Sequence, residues 1–284
     1  MQKPLGQQLL DQIMDDYRRD QLVLPSIPDV ALRVRNAVSD SSKTARQIAQ
    51  IIQIEPALTA RLIQISNGPM SRGASKIDSC QAAITRLGFR VTQNLVMSIT
   101  FRNMFSAKQP VVRQRMEEHW KGSSKVGAIC FVLAGISHGL EQDRALMAGI
   151  VHEIGVLPIL RYADQYPELI KHPEILDKII HRLKTPLGTL ILNKWNFGDD
   201  IKNIPQEVND WMRNTGEKAD YADIVLVAKV HSLFGKEEST SVPPLTEMPA
   251  FQKLPLSHLG PGGSIELLNQ AQGEVDAILK ILNG

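Results

Sequence analysis

The residues best suited to chemistry in this chain are His152 and Glu153, set within Ala148-Gly149-Ile150-Val151-His152-Glu153-Ile154-Gly155. An imidazole followed by a carboxylate, on a helix between apolar residues and closed by glycine, places two metal-ligand types side by side in a buried setting. A dication held there would activate water for phosphate-ester hydrolysis. The same pair can equally be a hydrogen-bonded core pair, and both readings stand at this point. His138, His172, His231 and His258 lie beside Gly, Pro or Ser in expected helix ends and loops, and none is assigned to chemistry. Cys80 and Cys130 make no disulfide framework and no thiolate zinc site, and are expected to be inert thiols. The sequence contains no Walker A loop, dinucleotide fingerprint or nucleophile elbow, and Gly260-Pro261-Gly262-Gly263 lacks the lysine that follows a phosphate loop.

The elements that must position this pair read as helices. Val91, Leu95 and Ile99 repeat every four residues, and Met147, Ile150, Val151 and Ile154 form the stripe of a buried helix face. Ile175, Ile179 and Leu183 form another. Thr44 with Gln47, and Asp78 with Gln81, resemble capping boxes. Gly88 suits a helix end in the left-handed region, and Pro28 and Pro56 suit first turns. Alternating strand patterns are absent, so the expected fold class is all-α. From Gly235 to Gly263 the chain is rich in Pro, Ser and Gly and reads as a linker, either a tether to a docked C-terminal helix or an extension that orders only with a partner, after which Ser264 is placed to cap a last helix.

A hydrophobic share of 43% with 22% charged residues excludes a largely disordered chain. The formal net charge of +2 conceals an asymmetry. Between Pro56 and Met116 stand nine bases (Arg61, Arg72, Lys76, Arg86, Arg90, Arg102, Lys108, Arg113 and Arg115) against one acid, Asp78. From Glu117 onward there are sixteen bases and twenty-two acids. Such a distribution suits an anion-facing docking surface on the first half, or two lobes of opposite sign that attract each other; solvation of scattered charges is the plainer account. No secretory signal pattern opens the sequence, and the longest weakly polar stretch, Val126 to Ser137, is short for a bilayer. A cytoplasmic protein without membrane contact is expected.

In order along the chain, several segments resemble one family. These are Leu24-Pro25-Ser26-Ile27-Pro28, Glu55-Pro56-Ala57-Leu58-Thr59-Ala60-Arg61-Leu62, Ser66-Asn67, Ile77 through Ala83-Ile84, Arg86-Leu87-Gly88, and Asn94-Leu95-Val96. Trp120, the Ala148 to Gly155 stretch, Leu187-Gly188 with Trp195, and Ala222-Asp223-Ile224-Val225 continue the pattern. Together they resemble the HDOD domain, the HD-related output domain of bacterial signalling proteins. The resemblance implies a multi-helix HDOD fold, with an N-terminal helical bundle (about 24–110) packed on an HD-like lobe (about 111–235). Around it, 1–23 is expected to be an N-terminal helix, 236–263 a linker and 264–284 a C-terminal helix.

Departures from the HD phosphohydrolase pattern bear most on function. Where that pattern has an early histidine, two residues beyond Trp120, this chain has Gly122; its His-Asp pair is His152-Glu153; a later histidine aligns with Lys184 and the late aspartate with Lys229. Glycine offers no ligand, and two lysines repel a dication while suiting the neutralisation of Glu153. A shifted metal site of His119, His152, Glu153 and His181 can be drawn, because His119 and His181 each lie three residues from a vacated position. The preferred account leaves both solvated. No catalytic residue and no cofactor is therefore expected; a divalent metal is the minority case. The expected function is a non-catalytic signalling module that binds a protein partner or a small anionic ligand, with Arg61, Arg72, Lys76, Arg86, Arg90 and Arg102 as its docking surface. The alternative is a metal-dependent phosphohydrolase acting on a nucleotide or cyclic dinucleotide. Nucleic acid is not an expected partner, since no reading helix or stacking platform accompanies the basic stretch.

Overall fold

The side chains of Thr44, Ser79 and Asp220 each open a helix by accepting from a backbone N–H left without an intrahelical partner. The computed structural model describes residues 5–19, 21–68, 75–166, 171–234 and 242–283. Among these every regular element is helical. The Thr44–Gln47 capping box is formed, with Gln47 N donating to Thr44 Oγ1 and Thr44 N donating to Gln47 Oε1. At the next start Ser79, not Asp78, is the N-cap and accepts from Ala82 N at 3.3 Å. Pro56 occupies a first turn, whereas Pro28 sits one residue earlier, as the N-cap. Gly88 adopts φ +83°, where a side chain would be strained, and lets one helix end and the next begin on a single residue.

A first helix, α1 (Leu5–Arg18), precedes the N-terminal bundle. The bundle comprises α2 (Asp29–Ser39), α3 (Ala45–Ile52), α4 (Pro56–Ser66), α5 (Cys80–Leu87) and α6 (Phe89–Phe101). The second lobe is built on α7 (Pro110–Gly135), 26 residues long, along which α8 (Gln142–Val151) packs. Their crossing is close because both helices carry glycine at the contact. A Cβ on Gly149 would lie 2.5 Å from Gly127 Cα. The lobe continues with α9 (Val156–Ala163), α10 (Pro173–Lys194), the single turns α11 (Asp199–Lys202) and α12 (Ile204–Glu207), and α13 (Tyr221–Leu233). Gly155, at the start of α9, touches α10 so closely that a Cβ there would run into the Lys184 carbonyl. The apolar run Gln142–Ala163 is as long and apolar as a membrane span, longer than the Val126–Ser137 stretch; 89% of its apolar 18-residue window is buried inside the fold as core.

The expected linker over 236–263 needs correction. Residues 235–241 lie outside the described part, but 242–259 fold into short helical turns, including α14 (Pro249–Gln252). Leu245, Met248, Phe251, Leu254 and Leu256 of this segment are buried in the core. Proline starts the turns here, with Pro244 as the N-cap of the first and Pro249 and Pro255 in the first turns of the next two, between anchoring side chains. The expected single C-terminal helix is two, α15 (Gly260–Gln270) and α16 (Gln272–Asn283). Ser264 does not cap α15; it is inside it and hydrogen-bonds His231 at 3.0 Å. Helix α16 docks on α7, burying Val275, Ile278, Ile281 and Leu282, and Asn283 Oδ1 accepts from Trp120 Nε1 at 2.8 Å.

Candidate functional site

Four helices and one connection converge on a cleft of ≈ 760 Å³ in the second lobe. Helix α7 supplies Arg115, Glu118, His119 and Gly122; the end of α8 supplies His152 and Glu153; α10 supplies His181 and Lys184. The connection after α12 contributes Asn209 and Trp211, and α13 contributes Lys229. The positions aligned with vacated HD ligands, Gly122, Lys184 and Lys229, are thus brought together with His152 and Glu153. The two extra histidines, His119 and His181, line the same cleft.

His152 follows the last residue of α8, where carbonyls lack intrahelical partners. Its Nδ1 lies 2.7 Å from Gly149 O. A carbonyl only accepts, so Nδ1 carries the proton and Nε2 holds the lone pair. Burial is the first cause that lowers the imidazole pKa, to about 4, with Lys229 and Lys184 acting in the same direction, so His152 is neutral at pH 7. Burial works against the charge of Glu153, yet its contact with His119 and the Lys184 ammonium hold the carboxyl well below the usual range. Lys184 Nζ donates to Glu153 Oε1 at 2.5 Å. His119 Nδ1 stands 3.7 Å from Oε2, a contact longer than a hydrogen bond. Lys229 donates to Val208 O at 2.7 Å and rests 4.6 Å over the Trp211 ring. Burial pushes its pKa down to about 8, with Lys184 acting in the same direction.

These residues do not fit a catalytic metal. The carboxylate that would bind the cation already holds an ammonium, a second ammonium stands at the cleft, and among the described residues no three His, Cys, Asp or Glu side chains converge on one point. The shifted set of His119, His152, Glu153 and His181 shares a cleft without forming a ligand cluster.

A family model for the HDOD domain matches residues 24–210. The chain belongs to the HDOD family. A candidate metal-dependent phosphohydrolase from Shewanella amazonensis SB2B shares its fold at TM-score 0.80 and 25% identity, over 98% of this chain and 99% of that one. An HDOD domain protein of unknown function from Geobacter sulfurreducens superposes at TM-score 0.64 and 16% identity, covering 97% and 96% of the two chains. An uncharacterised protein of Treponema pallidum (strain Nichols) is 21% identical over 197 residues, 63% of this chain and 36% of that protein. This HDOD chain therefore spans little more than a third of that relative's length.

Several residues that carry the family resemblance have structural work in this HDOD fold. Trp195 Nε1 donates to Pro25 O at 2.9 Å, tying α10 to the extended segment before α2. Asn67 exchanges two hydrogen bonds with the Ile77 backbone, both 2.7 Å. Asn94 Nδ2 donates to Asp143 Oδ2 at 2.6 Å across the lobe boundary. Fully buried Asp223 receives Arg213 at 2.8 Å and Lys253 at 3.3 Å. No motif marks Arg213 or Lys253, and Trp211 and Asn209 of the cleft also escaped the sequence reading; all four follow only from the chain's path.

The basic docking surface is partly spent on internal contacts. Arg86 donates to Ser66 O at 3.0 Å and to Ser75 O at 2.6 Å, and Arg90 pairs with Glu141. Lys76 and Arg102 are exposed, Arg61 is half-buried with Arg102 as its cationic neighbour, and Arg72 lies outside the described residues. Among the four histidines left unassigned, His231 is buried on α13, whereas His138, His172 and His258 are exposed. Burial raises the thiol pKa of both Cys80 and Cys130.

Proposed function

We propose that this HDOD protein is a non-catalytic signalling module that acts by binding a signalling protein or a small anionic ligand. The observation that carries the reading is the Lys184–Glu153 ion pair at 2.5 Å. The chain's own ammonium sits on the carboxylate that a hydrolytic dication would need, and a dication must displace it against like-charge repulsion from Lys229. Metal content and phosphoesterase assays with Mn, Mg, Ni and Fe test it. The expected result is protein without stoichiometric transition metal and without His152-dependent hydrolysis. Metal that co-purifies with the protein and is lost in His152→Ala would overturn the proposal.

The likeness to the Shewanella protein favours a second reading, a metal-dependent phosphohydrolase. It requires phosphoesterase activity that disappears in His152→Ala. The two readings also diverge for a restored site, Gly122→His with Lys184→His and Lys229→Asp. The non-catalytic reading expects metal binding to appear only in that variant.

A further inference from the structure

Resting on the non-catalytic reading, we infer that the cleft binds a small phosphate-bearing ligand directly, without a metal, with Lys229 as anchor and Gly122 as its open side. Lys229 is the cleft cation without a direct ion pair: the Glu153 carboxylate acts on it only from beyond ion-pair distance, because Lys184 holds that carboxylate. Arg115 is paired with Asp177 and Lys184 with Glu153. The direct contacts of the Lys229 ammonium are the Val208 carbonyl and the Trp211 ring, and among the described residues no carboxylate lies within ion-pair distance of it. A partly buried ammonium with neutral partners gains from an oxyanion. Lysine acts as a point charge that suits phosphate, whereas a planar carboxylate prefers a guanidinium fork, and the cleft's guanidinium is engaged.

Gly122 supplies an independent argument. It lies inside the 26-residue α7, where glycine costs about 1 kcal/mol relative to alanine. Gly127 on the same helix is required by the close approach of α8, but a Cβ on Gly122 would meet nothing within 4 Å. Packing therefore does not account for glycine at 122, and it faces the cleft. The space it leaves belongs to a volume of ≈ 760 Å³, inside the range of about 300–1,000 Å³ typical of small-molecule sites.

Pyrophosphate is a suitable probe, titrated in the presence of EDTA and followed by tryptophan fluorescence. Trp120 and Trp195 are only 3% and 4% exposed, so the cleft residue Trp211 is the responsive one. Saturable binding of unhydrolysed pyrophosphate is expected. It should weaken about tenfold or more in Lys229→Met, the worth of one charge-assisted hydrogen bond. It should vanish in Gly122→Leu, which fills the cleft from an unpacked position, and stay unchanged in Arg46→Ala, an exposed base on α3 outside the cleft. Circular dichroism of Gly122→Leu separates cleft filling from misfolding. Binding retained in a folded Gly122→Leu protein, or matched by citrate, overturns the phosphate site. If pyrophosphate neither binds nor is hydrolysed, the phosphate site fails and the protein-partner form of the function stands. Metal-dependent hydrolysis lost in His152→Ala overturns the non-catalytic reading itself.

Discussion

His152 and His231 are both buried imidazoles with pKa values lowered to about 4, chiefly by burial. Each satisfies a neighbour in its neutral form, His152 the Gly149 carbonyl and His231 the Ser264 hydroxyl. In the unfolded chain both would titrate near 6.5. Between about pH 6.5 and 4 the unfolded state therefore binds more protons, and stability must fall as pH falls through that window. The loss is on the order of 3 kcal/mol per residue once the lower end is reached. Lys229, lowered to about 8, has the same sign in an alkaline window, adding stability as pH rises from about 8 towards 10.5. Urea midpoints measured at pH 7, 6 and 5 check the acid limb. The expected result is a steady decline that is reduced in His231→Gln, which keeps a partner for Ser264 without the titration; an unchanged decline in that variant would mean that other groups govern it.

Glycine separates the helices of the second lobe into tight and loose contacts. Ala at 149 would press on Gly127, and at 155 it would strike the Lys184 backbone, which cannot swing aside as a side chain can. Gly149→Ala and Gly155→Ala should each cost about 1–3 kcal/mol or more through overpacking. Gly122→Ala, in open space on α7, should stabilise by about 1 kcal/mol. Thermal denaturation of the three variants gives opposite signs if helix approach, and not helix propensity alone, decides. The same contrast shows what the sequence made legible. Helices announce themselves through local spacing, as at Val91, Leu95 and Ile99, and through local caps such as Thr44 with Gln47. The need for glycine at 155 arises from α10, some thirty residues away in the chain, and no local pattern carries it. Composition misled at 242–259, where Pro243-Pro244 drew attention away from Leu245, Met248, Phe251 and Leu254. For the cleft, the family pattern placed Gly122, His152, Glu153, Lys184 and Lys229 together, because those positions are fixed by the fold whatever residue fills them. Trp211 belongs to an irregular connection, where neither spacing nor motif marks a contact.

At the scale of the molecule, the charge asymmetry between the two halves is partly absorbed at their boundary. Arg90 of α6 pairs with Glu141, and the Lys108 and Gln109 amides donate to Asp164 at 3.0 and 2.8 Å. The exposed Arg90–Glu141 pair contributes little to stability, and the lobes are joined mainly by apolar burial. Among the described residues, ten of the buried apolar side chains lie past residue 241. Lys253 reaches fully buried Asp223 and the Thr215 carbonyl, α16 covers α7 beside Trp120, and His231 is closed over by Ser264. Each buried Leu, Ile, Met or Phe side chain contributes about 1.5–3 kcal/mol, against a net stability of about 5–15 kcal/mol for a domain. Removing Leu245, Met248, Phe251, Leu254, Leu256, Ile278, Ile281 and Leu282 together exceeds that margin. A chain ending at residue 241 should consequently fail to fold, although the family match itself ends at 210. Its circular dichroism and solubility test this directly, and Ile278→Ala in the full chain provides the graded counterpart, with an expected cost of about 2–5 kcal/mol in one cooperative transition. If the 1–241 chain melts as sharply and as late as the whole, the segment is a tether and the core closes without it.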